Sequence, residues 1–168
     1  MIYEPREDSY LMKKTIENLD LESKKCLDMG TGSGIQAEAM LDSSAEKVIA
    51  ADINPEASEE VPEKAEFVES DLFENIEGSY DLIVFNPPYL PGNKDTEGSE
   101  TWNGGEKGIE ITEKFLDQAS DYLSEKGVIL FIISSLADSK DLNSEYKFTV
   151  IDRKKLSFEE LLLIELKE

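Results

Sequence analysis

The stretch that decides the fold is Asp81-Leu82-Ile83-Val84-Phe85-Asn86-Pro87-Pro88-Tyr89. Its apolar run predicts a buried strand, and because two prolines cannot continue a sheet ladder, Asn86 is expected at the strand's carboxyl end. Ligands bind at that end in open α/β sheets. Proline fixes its own backbone and restricts the preceding residue, so the carbonyls of Asn86 and Pro87 are expected to be held rigidly. With the Tyr89 ring beside them, these acceptors suit the polarisation of an amide or exocyclic amine. The alternative is a rigid turn that merely stops a strand.

The composition limits the chemistry that the chain can perform. Its 168 residues, 39% of them apolar, are expected to form a single domain over residues 1–168. A formal charge of −21 disfavours nucleic acid and bare membrane surfaces as partners. The absence of histidine excludes Ser–His and Cys–His triads, and no metal site is predicted. Cys26 lies in an apolar run and is expected in the core. With no apolar span of about 20 residues and no signal-peptide pattern, the cytoplasm is the expected location.

Strand-like and helix-like segments alternate along the chain, without a linker or an internal repeat. We predict helices over residues 7–19, 35–41 and 107–123. We predict strands over 25–29, 48–51, 65–70, 80–86 and 127–133, and then a closely spaced antiparallel pair over 146–151 and 161–166. This order predicts an α/β fold, namely a doubly wound, mostly parallel sheet of seven strands with one reversed strand and a C-terminal antiparallel hairpin. The helices after Asp52 and after Ser134 are expected to be short.

A glycine-rich turn follows the first predicted strand and marks a candidate cofactor site. Gly30, Gly32 and Gly34 would let the backbone approach a ligand and enter the next helix tightly. This pattern alone is compatible with a dinucleotide, an adenosyl cofactor or a plain tight turn. Asp28 immediately before the turn disfavours a pyrophosphate, but its carboxylate can accept a hydrogen bond from a ligand ammonium group.

Two further aspartates follow the next two predicted strands. Asp52 lies 20 residues past Gly32, the usual distance for a carboxylate that holds ribose hydroxyls. Asp71 follows the third strand, where its side chain or the backbone of Leu72 could meet an adenine edge. Each aspartate alone is more often a helix cap or turn residue. Together with Asp28 they match an amine, a ribose and a base along one crevice, which is the shape of S-adenosylmethionine.

With these strand ends identified, the sequence resembles the class I S-adenosylmethionine-dependent methyltransferases, whose sheet is Rossmann-like. More narrowly it resembles the HemK-type glutamine N5-methyltransferases, in their short archaeal and eukaryotic branch. Three segments carry this narrower resemblance: Tyr-Glu-Pro-Arg-Glu-Asp-Ser at 3–9, Asp-Ile-Asn-Pro-Glu-Ala at 52–57, and Trp-Asn-Gly-Gly-Glu-Lys-Gly at 102–108. The Asn-Pro-Pro-Tyr element by itself is shared with DNA adenine methyltransferases.

The resemblance implies a reaction and the residues that perform it. It implies N5-methylation of the glutamine in the Gly-Gly-Gln loop of a class I peptide-chain release factor, with S-adenosylmethionine as the donor. The substrate NH2 group would donate to the Asn86 side-chain oxygen and the Pro87 carbonyl. Pro88 would complete this catalytic turn, and Tyr89 would pack on the amide plane. Asn86 would also contact the cofactor, and Ser9 would lie near the cofactor's methionine end.

The resemblance also implies a protein partner. The bacterial members carry an extra helical domain ahead of the catalytic one, which this chain is expected to lack because its Tyr-Glu-Pro motif begins at Tyr3. In the short branch, a small zinc-ribbon activator protein compensates by pairing with the exposed edge of the sheet. The third predicted strand, residues 65–69, is the expected docking edge.

Two other functions compete with this interpretation. An adenine-N6 methyltransferase acting on nucleic acid would need basic, aromatic-lined grooves, which the net charge of −21 disfavours. A non-catalytic subunit that binds S-adenosylmethionine should have lost Asn86, Tyr89 or one of the acidic residues, and the sequence retains all of them.

Overall fold

The computed structural model describes residues 2–88, 109–137, 142 and 147–167. The strands are β1 Lys25–Met29, β2 Lys47–Asp52, β3 Glu66–Glu69, β4 Tyr80–Phe85, β5 Leu123–Ser134, β6 Phe148–Lys155 and β7 Glu160–Lys167. The helices are α1 Glu7–Glu17, α2 Ile35–Asp42 and α3 Glu110–Ala119, with 3-10 helices at Pro55–Glu59 and Ser120–Tyr122. No helix in these described ranges is long and apolar enough to span a bilayer.

The strands form one sheet in the order β3-β2-β1-β4-β5-β7-β6. The first five strands in that order are mutually parallel, and β7 runs antiparallel to both of its neighbours. The predicted class is therefore confirmed, including the single reversed strand. Chain order reverses direction between β1 and β4, and the carboxyl ends of two such strands frame the crevice in which doubly wound sheets bind ligands.

Helices cover both faces of the sheet, because the parallel strands are apolar on both sides. On one face, α1 and α2 pack over side chains such as Cys26, Val84 and Leu130. On the other face, α3 places Phe115 among Leu27, Ile83 and Phe131. Cys26 is fully buried, and burial raises the pKa of its thiol to about 12. It is a core residue, as predicted.

Several boundaries differ from the sequence-based ranges for local reasons. α1 ends at Glu17, because the Asn18 side chain donates to the Lys14 carbonyl and closes the last turn. The third helix was predicted to reach residue 123 but ends at Ala119, and β5 begins at Leu123. The Ser124 hydroxyl donates a hydrogen bond of 2.7 Å to the Asp81 carboxylate, and this contact holds the start of β5 beside β4. β6 continues to Lys155, because its charged end still pairs with β7.

Candidate active site

A cavity of about 1030 Å³ opens at the carboxyl ends of β1, β2 and β4. This volume is at the upper end of the range for small-molecule sites. The cavity brings together residues that the sequence analysis predicted separately, and these are Ser9, Asp28, Gly30, Gly32, Asp52, Asp71, Leu72, Asn86, Pro87 and Pro88. Carboxylates and amides line one part of it, and Phe85, Ile111 and Leu72 supply apolar surface for a flat ring.

The glycine turn is shaped by close backbone packing. Gly34 has a φ of +74°, and a Cβ there would lie 2.7 Å from the Glu60 carbonyl oxygen. Gly34 therefore seats the start of α2 against the segment after β2 and does not itself line the cavity. Asp52 holds the turn from the other side, because its Oδ2 accepts from the Gly32 N–H at 2.8 Å and its Oδ1 from the Asn54 N–H at 2.9 Å. Its predicted ribose contact stays a prediction.

Asp28 is 1% exposed at the end of β1. Its Oδ2 accepts from the Thr31 hydroxyl at 2.6 Å and from the Ala37 N–H at 3.1 Å. Oδ1 receives no hydrogen bond from the described residues, and the carboxyl group lines the cavity. Burial, reinforced by the nearby Asp52 charge, raises the pKa of Asp28 to about 7 despite the two hydrogen bonds. A buried acid of this kind is well suited to a cationic ligand, and the predicted ammonium contact fits it.

The raised pKa of Asp28 predicts a pH-dependent stability of the ligand-free protein. The protonated Asp28 carboxyl stabilises the folded state. This contribution is fully present at pH values below the ordinary pKa of 3.8 and is lost as pH rises through about 7. Between about pH 5 and pH 8, the free energy of unfolding should fall by roughly 2–3 kcal/mol. Urea titrations across this range would measure it, and the lack of histidine removes the usual competing titration.

Asp28→Asn should abolish most of this slope, because the amide oxygen can accept both hydrogen bonds without titrating. Asp121→Asn, at an exposed position, is the matched control and should leave the slope unchanged. An Asp28→Asn variant with the wild-type slope would remove Asp28 as its source.

Asn86 directly follows β4. Its side-chain nitrogen donates a hydrogen bond, whereas its side-chain oxygen accepts none from the described residues. Its Nδ2 donates 3.1 Å to Oδ2 of Asp8, which is 2% exposed in the first turn of α1. Asp8 Oδ2 also accepts from the Tyr3 hydroxyl at 2.9 Å, while Oδ1 accepts from the Ser9 N–H at 2.7 Å. The Asn86 Oδ1 is buried and receives no hydrogen bond from the residues that the structure describes. Because a carboxylate can only accept, the Asn86 nitrogen must face Asp8 and the oxygen is left for another donor.

The turn after β3 holds Leu72 in a left-handed conformation, with a φ of +48°. Such a φ is a genuine outlier for a bulky side chain, so the surroundings must hold it. Ser70 supplies that support, since its hydroxyl donates 2.7 Å to the Leu72 carbonyl and accepts from the Asn75 N–H at 3.0 Å. Asp71 is exposed beside it. The pair lines the cavity, and its predicted adenine contact stays a prediction.

Sequence reasoning missed two contributors to the site. No role was predicted for Asp8, although it lies within the motif at 3–9, or for Gln36. Both lie in the first turns of helices that bring them to the cavity, and their partners are 78 and 27 residues away in sequence. The sequence signal that could have indicated their role is that each is a polar residue at a core-facing position of its helix. Tyr89 and the segment 102–108 lie outside the described residues. Among those that are described, no group of three or more acidic, cysteine or histidine side chains is arranged to hold a metal ion.

The residues present fit the predicted cofactor. A buried carboxyl with a free oxygen suits an ammonium group, a carboxylate at the end of β2 suits hydroxyls, and an apolar patch suits a base. Asn86, whose side-chain oxygen receives no hydrogen bond from the described residues, lines the same cavity, where a second reactant could meet the cofactor.

Comparison with known proteins places this site in a family. The family model "Methyltransferase small domain" matches residues 8–155. A protein of Methanocaldococcus jannaschii, provisionally named a protein N5-glutamine methyltransferase, is 37% identical over an alignment of 179 residues that covers 97% of this chain and 90% of that protein. Methyltransferase HEMK2 of Mus musculus is 30% identical over 151 residues, covering 78% and 71%.

A solved structure gives the same result for the fold. The E. cuniculi Mtq2–Trm112 complex, which methylates the translation termination factor eRF1, contains a chain that superposes with a TM-score of 0.80 at 27% identity, covering 99% of this chain and 98% of that one. Both the sequence and the fold match over nearly the whole length. The chain therefore belongs to the methyltransferase small domain family, and within it to the S-adenosylmethionine-dependent protein N5-glutamine methyltransferases.

Proposed function

We propose that this chain methylates the N5 amide nitrogen of the glutamine in the Gly-Gly-Gln loop of a peptide-chain release factor. The observation that carries the proposal is the orientation of the Asn86 amide: its nitrogen is bound by the Asp8 carboxylate, and its buried oxygen receives no hydrogen bond from the described residues. Relatives of the chain are named as glutamine methyltransferases of a ribosomal protein and of a release factor, and the complex that contains one similar chain methylates a translation termination factor. A translation factor as substrate implies a cytoplasmic enzyme.

The orientation of Asn86 suits an amide as the nucleophile. An amide nitrogen is a poor nucleophile because its lone pair is delocalised into the carbonyl. A substrate NH2 group that donates to Asn86 Oδ1 would be fixed in the cavity, and the acceptor would stabilise positive charge developing on that nitrogen. When bound, S-adenosylmethionine supplies an electrophilic methyl group on a sulfonium. No protein base is needed before transfer, which agrees with a chain that has no histidine.

We assign Asp8 as a positioning residue that fixes the Asn86 amide. Asp8→Asn is expected to lower kcat by about 10²-fold, because the new amide can also donate and no longer forces the Asn86 oxygen toward the substrate. Affinity for the cofactor, measured by calorimetry, should change little. Tyr3→Phe is the matched control, since it removes a second donor to Asp8 Oδ2 but keeps the carboxylate.

If Asp8→Asn lowered cofactor affinity and kcat by the same factor, a general loss of site structure would replace the positioning role. A smaller fall of kcat in Tyr3→Phe than in Asp8→Asn would separate the carboxylate's effect from that of its surroundings.

We further propose that a small zinc-ribbon protein docks on β3. β3 is an edge strand of four residues, and its only sheet neighbour in the described part of the chain is β2. The Ser70 N–H donates to the Asp52 carbonyl of β2 at 2.9 Å, so by the alternation of a strand the Glu69 N–H points away from the sheet. An outward row of backbone groups is what an added strand requires. The relative from E. cuniculi forms its complex with Trm112.

Mixing the chain with a Trm112-type protein should raise its melting temperature, because a partner that binds the folded state stabilises it. Glu69→Pro removes an outward N–H without touching the β2 ladder and should weaken this rise. Glu69→Ala is the control for the lost side chain and should keep it. A melting temperature that is unaffected by the partner in differential scanning fluorimetry would contradict docking.

The substrate assignment is tested by methyl transfer from labelled S-adenosylmethionine to a release factor and to its loop variant with glutamine replaced by alanine. Label is expected on the first protein alone, and mass spectrometry of the tryptic loop peptide should place one methyl group on the glutamine. Label on another residue, or equal labelling of both proteins, would contradict the proposal.

A further inference from the structure

Gln36 is a second side-chain amide at the cavity whose nitrogen is hydrogen-bonded and whose oxygen accepts no hydrogen bond from the described residues. It lies in the first turn of α2 and is 4% exposed. Its Nε2 donates a hydrogen bond of 2.9 Å to the carbonyl oxygen of Ser9, while its Oε1 is buried and, within the described part of the chain, accepts no hydrogen bond. The residue lines the same cavity as Asp28 and Asn86.

The orientation of this amide is determined by its neighbour. The Ser9 carbonyl is an acceptor, so exchanging oxygen and nitrogen would place two acceptors against each other. The nitrogen of Gln36 therefore faces Ser9, and its oxygen is available to accept a hydrogen bond from another donor. Nearly all buried polar atoms in proteins have partners, so an exception at the wall of a ligand cavity indicates that the donor comes from the ligand.

The surroundings of Gln36 indicate which donor that is. Gln36 directly precedes Ala37, whose N–H donates to Asp28 Oδ2 at 3.1 Å, so the backbone of Gln36 lies beside that carboxyl group, and both residues line the cavity. Asp28 has an oxygen that receives no hydrogen bond from the described residues. A donor that meets both an amide oxygen and a carboxyl oxygen is best provided by a group with several N–H bonds and a positive charge.

We propose that Oε1 of Gln36 accepts a hydrogen bond from the α-ammonium group of S-adenosylmethionine, beside Asp28. The inference rests on the methyl donor of the proposed function and adds a cofactor contact outside the glycine turn. The first turn of α1 then aligns both reactants, since the Ser9 carbonyl holds Gln36 for the cofactor and the Asp8 side chain holds Asn86 for the substrate.

The test compares two ligands on three proteins by isothermal titration calorimetry. The ligands are S-adenosylhomocysteine and its deaminated analogue, in which hydrogen replaces the α-amino group. The proteins are the wild type, Gln36→Met, and Gln118→Met as a matched control on the exposed face of α3. The wild type and Gln118→Met should bind the amine-bearing ligand more tightly than its analogue. In Gln36→Met, this preference should shrink by about tenfold or more, with little change in affinity for the analogue.

The ligand pair separates a direct contact from a structural one. Loss of the Ser9–Gln36 hydrogen bond alone would weaken both ligands equally, and that result would overturn the proposal. A preference in Gln36→Met equal to that of the wild type would also overturn the proposal, and Gln36→Leu, which likewise lacks the acceptor oxygen, repeats the comparison if Gln36→Met fails to fold. A wild type that binds neither ligand would instead overturn the cofactor assignment.

Discussion

Replacing Asn86 with alanine is expected to lower methyl transfer by about 10²–10³-fold, the usual effect of removing one preorganised electrostatic partner. The lost group is the Asn86 oxygen, which receives no hydrogen bond from the residues that the structure describes. Affinity for S-adenosylmethionine should be nearly preserved, because the cofactor's charged and ring-shaped parts are assigned to Asp28, Asp52 and the apolar wall. Single-turnover transfer to a release factor, alongside calorimetric titration of the cofactor, measures both quantities.

The control for this variant is Asn18→Ala, at an exposed position at the end of α1. It should retain normal turnover. If Asn86→Ala also kept near-normal turnover in a folded protein, the amide-polarising mechanism would be wrong. The Asn-Pro-Pro-Tyr stretch would then be only a turn that ends a strand.

Phe115→Ala should produce the largest loss of stability, about 3–5 kcal/mol. Phe115 is fully buried on α3, with its ring centroid 4.6 Å from that of Phe85 and 5.6 Å from that of Phe73. Truncation would leave a cavity that the rigid sheet cannot fill by collapsing. Because Phe85 directly precedes Asn86, the same truncation removes packing beneath the catalytic turn, and turnover should fall in the folded fraction.

Urea unfolding at fixed pH measures this loss, and Phe158→Ala is the matched control. Phe158 is 91% exposed in the β6–β7 turn, so its truncation should change the free energy of unfolding by well under about 1 kcal/mol. A Phe115→Ala variant as stable as the Phe158→Ala variant would contradict the view that α3 supports the end of β4.

The architecture was predictable because its signals are local. Continuous apolar runs identified β2, β4 and β5, and the prolines after Asn86 fixed where β4 ends. A boundary was misplaced where a long-range contact decides it, as at Leu123, where the contact between Ser124 and Asp81 extends β5 backwards. Local propensity contains no information about a partner that is 43 residues away.

The cavity was predictable for a similar reason, since parallel strands bring their carboxyl ends to one edge of the sheet. Asp28 and Asp52 lie at the carboxyl ends of β1 and β2, Asp71 and Asn86 follow β3 and β4, and all four line the cavity. What could not be read from the sequence is which atoms of these residues the protein itself uses. Each oxygen of Asp52 already accepts one backbone N–H, whereas the side-chain oxygen of Asn86 accepts no hydrogen bond from the residues that the structure describes.

The central claim is that the oxygen of Asn86, oriented by Asp8, selects a glutamine amide for methylation. Its most direct test is the product of a single turnover with a release factor, analysed by mass spectrometry of the Gly-Gly-Gln peptide for the wild type and for Asn86→Ala. We predict one methyl group on the glutamine side-chain nitrogen with the wild type and a rate about 10²–10³-fold lower with the variant. An unmodified glutamine with the wild type, or equal rates for the two proteins, would contradict the account.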